Sequence, residues 1–267
     1  MSSSDSPSAS LTIQAIEANQ WAYFATVLGD DFHEEKDLAW YLTGIPSHIF
    51  NGVLKARLQP DTLEKRIEET LERFRSRHLP MFWWVGPASS PDDLGEHLES
   101  HGLTLVDGEG APGMAVDLAL LKNLEPPKEV KIERVNNKQV LAGWVRVFTS
   151  VFDIPAECSD ACLEIFDRVG YALDGNSWNY VGILGDRIVA TSAVFLDGGV
   201  AGVYNVATMP EARGKGIGAA MTLAPLLEAR ERGCRVGILQ SSRMGYGVYK
   251  RLGFQECCKI GLYTSKF

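Results

Sequence analysis

The hexapeptide Arg213-Gly214-Lys215-Gly216-Ile217-Gly218 limits what this chain can be more than any other feature. It follows a run at 200–207 that reads as a strand, and it leads into Ile217, Met221, Ala224 and Leu227, spaced as one face of a helix. Three glycines at a strand-to-helix junction let an anion approach the main chain. They also permit the dihedrals that aim successive N–H groups at one point. The start of the helix contributes unpaired N–H groups and a positive end, and Arg213 and Lys215 add charge. Such a turn suits a pyrophosphate.

Two rival phosphate motifs fail on context. Gly214, Gly216 and Ala219 satisfy G-x-G-x-x-A, but a dinucleotide site needs a parallel βαβ unit and an acidic residue ending its second strand. Here Gly185-Asp186 and Asp197-Gly198-Gly199 separate strand-like runs at 178–184, 187–196 and 200–207, which makes an antiparallel meander, and Gln240-Ser241-Ser242 ends the next strand. A Walker-type loop lacks its G-K-[ST]. Upstream, 130–135 alternates like a strand, Val140, Leu141, Trp144, Val147, Phe148 and Val151 set a helix over 138–152, and a second helix is expected over 156–169. Downstream, Pro225 should kink its helix or cost about 3 kcal/mol. Gly233 ends that helix, and a strand at 236–240, a short helix at 245–251 and a last strand at 259–264 follow. The expected fold class is α+β, with a mixed, mostly antiparallel twisted sheet flanked by helices.

A second motif lies downstream, where Tyr249-Lys250-Arg251-Leu252-Gly253-Phe254 reads Y-x-x-x-G-F. Together with the strand at 203–208, the R-x-x-G-x-G turn and the helix after it, this half of the chain resembles the GNAT superfamily of acyl-CoA-dependent N-acetyltransferases. The resemblance implies an enzyme that moves an acetyl group from acetyl-CoA to a primary amine of a small molecule or protein, by direct transfer in a ternary complex. It implies that Arg213, Gly214, Lys215, Gly216, Ile217, Gly218 and Ala219 hold the CoA pyrophosphate, and that the backbone of Val206, Ala207 and Thr208 pairs with the pantetheine arm. It also places Tyr249 near the departing sulfur, where a phenol of pKa about 10 can protonate a thiolate of about 8.5. Beside Leu252 and Phe254, the same ring also suits a core. Two positions depart from the family pattern: Ser242 and Gly245 stand where members often have Asn and Ala, and Ser242 keeps a hydroxyl for the cofactor. The strand at 200–208 has no carboxylate to act as general base. Tyr204 and Asn205 can hold a water, and the base stays unassigned. Phe148, Phe152, Ile154 and Phe166 are candidates for acceptor walls or for core. The alternative function is a non-catalytic acetyl-CoA sensor or interaction module.

Asn123, Pro126 and Pro127 mark a linker at 122–128, which divides the 267 residues into a Ser-rich disordered tail at 1–10, a first domain at 11–121 and a second at 129–267. The first domain reads as a similar lobe: a strand at 52–58, Pro60, a helix at 61–77, an apolar run at 81–85 and a short helix at 91–100. Pro60 to Gly102 spans 42 residues and Pro210 to Gly253 spans 43. Leu63 to Glu68 aligns with the glycine turn yet contains no glycine and carries Glu64 and Glu68, and Leu98 stands where Tyr249 does. This lobe is therefore expected to be a degenerate GNAT-like copy, a tandem arrangement known in the superfamily. Up to residue 127 there are 9 basic and 20 acidic residues, a charge of −11, against 17 basic and 14 acidic after it, or +3. The acidic half favours a cationic acceptor, and neither half is basic enough for nucleic acid. Five cysteines without C-x-x-C spacing indicate neither a disulfide framework nor a metal site. With no leader or membrane-length apolar run, the expected location is the cytoplasm.

Overall fold

Residues 9–122, 125–171 and 175–265 are described by a computed structural model. They fall into two units, Met1–Gly113 with Cys257–Phe267, and Met114–Glu256. The segment read as a linker belongs to the second unit, and residues 257–267, grouped with the second domain above, belong to the first. Of the segment read as a tail, 1–8 lie outside the described residues, as does Asn123, while Ala9 and Ser10 already belong to a helix.

The first unit opens with α1 (Ala9–Leu28), β1 (Phe32–Glu34), β2 (Leu38–Leu42) and β3 (Asn51–Ala56). It continues through α2 (Leu63–Arg75), β4 (Phe82–Val85), α3 (Leu94–Ser100), β5 (Thr104–Leu105) and the start of β6 (Ala111–Asp117), which from Met114 on belongs to the second unit. Leu63, Ile67, Leu71 and Phe74 recur at helical spacing along α2 and pack with Val53, Trp83, Leu94 and Leu98 in one core. Arg66, on the polar side of α2, donates to Glu35 Oε2 at 2.6 Å and to both Asp37 oxygens at 2.8 and 3.1 Å, tying the helix to the turn before β2. β3 and β4 run parallel on either side of α2.

The second unit comprises β7 (Val130–Arg134), α4 (Lys138–Val151), α5 (Ser159–Asp167), β8 (Ser177–Leu184), β9 (Arg187–Asp197), β10 (Val200–Thr208), α6 (Ile217–Glu231), β11 (Val236–Gln240) and α7 (Tyr246–Leu252). β12 (Gln255–Thr264) begins in it and ends in the first unit. β7 to β10 form the expected antiparallel meander, and β10 pairs in parallel with β11 across α6. The α+β class with a mixed, mostly antiparallel sheet therefore holds. The expected second helix is shorter than read, because a single 3-10 turn at Ala156–Cys158 precedes α5.

α6 runs through Pro225 without interruption. Pro225 has no N–H to offer the Met221 carbonyl four residues back, and the hydroxyl of fully buried Ser192 on β9 donates to that carbonyl at 2.8 Å instead. Ser192→Ala is expected to lower the unfolding free energy by about 1–3 kcal/mol, since it leaves a buried acceptor unpaired. In a Pro225→Ala background, the restored N–H takes the carbonyl and the serine substitution becomes cheaper. Urea unfolding of the four proteins measures the difference, and equal costs in both backgrounds would remove this role from Ser192.

Candidate cofactor site

The site is built where β10 and β11 part. Their parallel register runs Val200↔Val236, Ala201↔Gly237 and Gly202↔Ile238, and there the pairing stops, although β10 continues to Thr208 and β11 to Gln240. On its other edge β10 stays paired to β9, with one irregularity between Tyr204 and Ala207. Asn205 causes it by adopting φ 53°, a left-handed conformation that asparagine tolerates better than most residues. The Thr191 hydroxyl donates to the Asn205 carbonyl at 2.9 Å and fixes the bulge. From Val206 to Thr208, β10 thus has no ladder partner toward β11 among the described residues. An unpaired edge of this kind accepts an extended ligand by main-chain hydrogen bonds. Val206 and Thr208 are half-buried along it, and Ala207 is buried.

After a 3-10 turn at Pro210–Ala212 the chain enters the glycine segment. Gly214 and Gly216 adopt φ 77° and 78°, and Gly216 caps α6 with no side-chain hydrogen bond. Alternating left-handed residues at an uncapped helix start form a concave set of N–H donors. Arg213, Gly214, Lys215 and Gly216 are exposed, while Ile217 is buried and anchors the turn in the core, with half-buried Ala219 packed against that core. Gly218 is different: its φ is ordinary, and a Cβ there would meet only Thr208 Oγ1, at 3.8 Å. The Arg213 Nε donates back to the Thr208 carbonyl at 3.0 Å, so this side chain braces the turn, while the Lys215 side chain is exposed.

Tyr249 lies on α7 with 8% of its surface exposed. Its ring rests on Gly245, where an added Cβ would come within 2.7 Å of Cε2, so alanine at 245 would collide with the ring as it stands here. Phe254 packs at 5.9 Å between ring centroids. Burial pushes the phenol up to about 12, and a hydrogen bond with the Thr222 side chain offsets part of that rise. Thr222 in turn donates to the Gly218 carbonyl at 2.9 Å, so a polar chain connects the phenol to the first turn of α6. Ser242 is exposed, and its Oγ accepts the Gly245 N–H at 3.1 Å in the turn before α7.

The aromatic residues considered as acceptor walls are brought together as packing. Phe148 stacks on Trp144 at 5.0 Å, Phe166 is tilted against Trp144 at 4.6 Å, Phe152 lies 4.9 Å from Phe148, and Ile154 is buried. Thr191, Ser192 and Thr222 were missed by the sequence reading. Their signal was two adjacent hydroxyls inside the apolar run 188–195, and a third on an otherwise apolar helix. In the first unit, α2 is already helical at Leu63, where the second unit still has its turn, and Leu98 is wholly buried.

Residues 176–256 match the family model described as an acetyltransferase (GNAT) domain. The second unit therefore contains a GNAT acetyltransferase domain. Among solved structures, a GCN5-related N-acetyltransferase from Kribbella flavida is 17% identical, with 96% of each chain covered and a TM-score of 0.69. Another from Sphaerobacter thermophilus is 18% identical, covering 80% of this chain and 70% of its own at a TM-score of 0.60. A tandem GNAT protein from the clavulanic acid biosynthesis pathway is 13% identical over 85% of this chain and 78% of its own, with a TM-score of 0.57. No curated protein matches the chain. The GNAT-like fold thus extends over both units, including the first, which lies outside the family match. No helix among the described residues is long and apolar enough to cross a membrane.

Proposed function

We propose that the GNAT domain transfers an acetyl group from acetyl-CoA to a primary amine, and that the first unit is a copy without a cofactor site. The observation that carries this reading is the unpaired edge of β10 leading into the left-handed glycines at the start of α6. Main-chain groups of Val206 to Thr208 pair with the amides of the pantetheine arm, and the N–H groups from Gly214 to Ala219, with Lys215, receive the pyrophosphate. The amine attacks the thioester carbon, the C–S bond breaks as the tetrahedral adduct collapses, and the Tyr249 O–H gives its proton to the leaving sulfur. The amine loses its own proton to solvent or to a water near Asn205. A net charge of −8 draws a cationic amine toward the protein. Burial of Tyr249 favours a second reading, an acetyl-CoA sensor that does not turn over.

Calorimetric titration with acetyl-CoA is expected to give one site per chain. Glu64 and Glu68 at the start of α2 repel a pyrophosphate, and substitution of exposed Lys65, which aligns with Lys215, should leave binding intact. Two equivalent sites would refute the degenerate copy. Release of free CoA across a panel of amines separates enzyme from sensor, since binding without turnover supports the latter.

A further inference from the structure

Gln240, the last residue of β11, stands two positions beyond the final β10–β11 pair, inside the opening between the strands. Its Nε2 is buried and has no hydrogen-bond partner among the described residues. A buried amide donor left unpaired carries a desolvation penalty, and native structures keep few of them. An apolar residue would fill the same place without that penalty, so the donor points to a ligand.

The direction of the side chain narrows the ligand. Side chains alternate along a strand. A Cβ at Gly237 would lie 3.0 Å from Leu226 of α6, and Leu239 shares the core of α6, so these two face that helix. Ile238 and Gln240 face the other way, toward the side of the sheet that α4 covers: α4 packs on β9 and β10, yet none of its residues joins the α6 core. The pyrophosphate turn opens α6, and the pantetheine arm lies along the β10 edge in the reading given above. The remaining side of the opening is left to the amine.

We propose that the Gln240 side-chain amide donates a hydrogen bond to an oxygen of the acceptor. The acceptor would then carry a carbonyl or carboxylate oxygen near its reacting amine, as amino acids, their amides and peptide N-termini do. Gln240 is a specificity-determining residue for such substrates, because a site built around a donor discriminates strongly against analogues that leave the donor unpaired. This inference rests on the acetyltransferase reading.

The test compares kcat/KM for an amino-acid amide with that for the alkylamine of matched length lacking the carbonyl, in the wild-type protein and in Gln240→Met. The wild type should prefer the carbonyl-bearing amine by at least about tenfold. Gln240→Met should lose that preference while binding acetyl-CoA unchanged, and its Tm without ligand should stay level or rise, because an orphaned donor has been removed. Gln240→Glu, which replaces the donor by an acceptor, should lose the preference as well and serves if the methionine variant does not fold. Persistence of the preference in either variant, weaker acetyl-CoA binding in Gln240→Met, or a lower Tm would overturn the proposal. A wild type that binds acetyl-CoA but releases no CoA with any amine would instead defeat the acetyltransferase reading, and the assignment of an acceptor contact with it. The Tm comparison still reports separately whether the amide is unpaired.

Discussion

Tyr249→Phe is expected to lower turnover about 10²- to 10⁴-fold, the usual contribution of a positioned general acid, with acetyl-CoA affinity unchanged. The substitution removes one hydroxyl and keeps the ring on Gly245 and Phe254. Thr222 still donates to Gly218, so the first turn of α6 retains its shape. Losing the buried hydrogen bond with Thr222 should cost about 0.5–1.5 kcal/mol of stability, too little to unfold an ordinary domain. The pH dependence has a definite sign. With its pKa pushed up to about 12 by burial, against 10 for an exposed tyrosine, Tyr249 stays protonated in the folded protein through the range of ordinary assays. Its neutral form favours folding fully below pH 10, and that contribution is lost between pH 10 and about 12, where the unfolded chain ionises first. The wild type should accordingly lose stability relative to Tyr249→Phe in that alkaline window, as read by thermal melts. An unchanged kcat, with chemistry limiting, would leave Tyr249 as a core residue only.

Gly218→Asp should weaken acetyl-CoA binding at least tenfold, or roughly 1.4 kcal/mol. Gly218 separates two effects that Gly216 confounds. Any side chain at Gly216 must adopt φ 78°, so a mutant there suffers strain at the helix start whether or not a ligand binds. At Gly218 the backbone is ordinary and the space is open, so alanine should stabilise the free protein by up to about 1 kcal/mol. A glycine that lowers stability where alanine fits has a reason outside the free protein, and close approach of a phosphate supplies one. Gly218→Ala should thus raise Tm and weaken binding mildly, and Gly218→Asp should abolish most of it. Full affinity in a folded Gly218→Asp protein would remove the turn from the cofactor site.

The second unit was legible because its markers are local. Gly185-Asp186 and Asp197-Gly198-Gly199 set two hairpins, and β11 lies at the 236–240 read from the sequence. The glycine turn was equally plain, and its left-handed residues are positions that only glycine occupies cheaply. The bulge at Asn205 was hidden, since 200–208 alternates like any strand and the distortion depends on a Thr191 hydroxyl fourteen residues away. α1 escaped notice because its apolar residues are spread around the helix and show no single face. Pro126 and Pro127 read as a boundary, yet Pro127 Cγ lies 3.6 Å from the position a Cβ on Gly216 would take, so the double proline belongs to the surroundings of the turn.

β6 and β12 were the hardest to foresee, because each changes unit partway along its length and pairing across such distances leaves no local trace. The crossing at Glu256 and Cys257 dictates an order of assembly. β4 pairs with Gly261 to Thr264, residues that leave the ribosome only after the whole second unit has been made. During synthesis the first unit must hold Phe82 to Val85 as an open edge, a surface prone to pairing with other chains. The first part translated is thus the last to be completed, and a chain stalled after α7 would carry a finished GNAT domain on an unfinished neighbour.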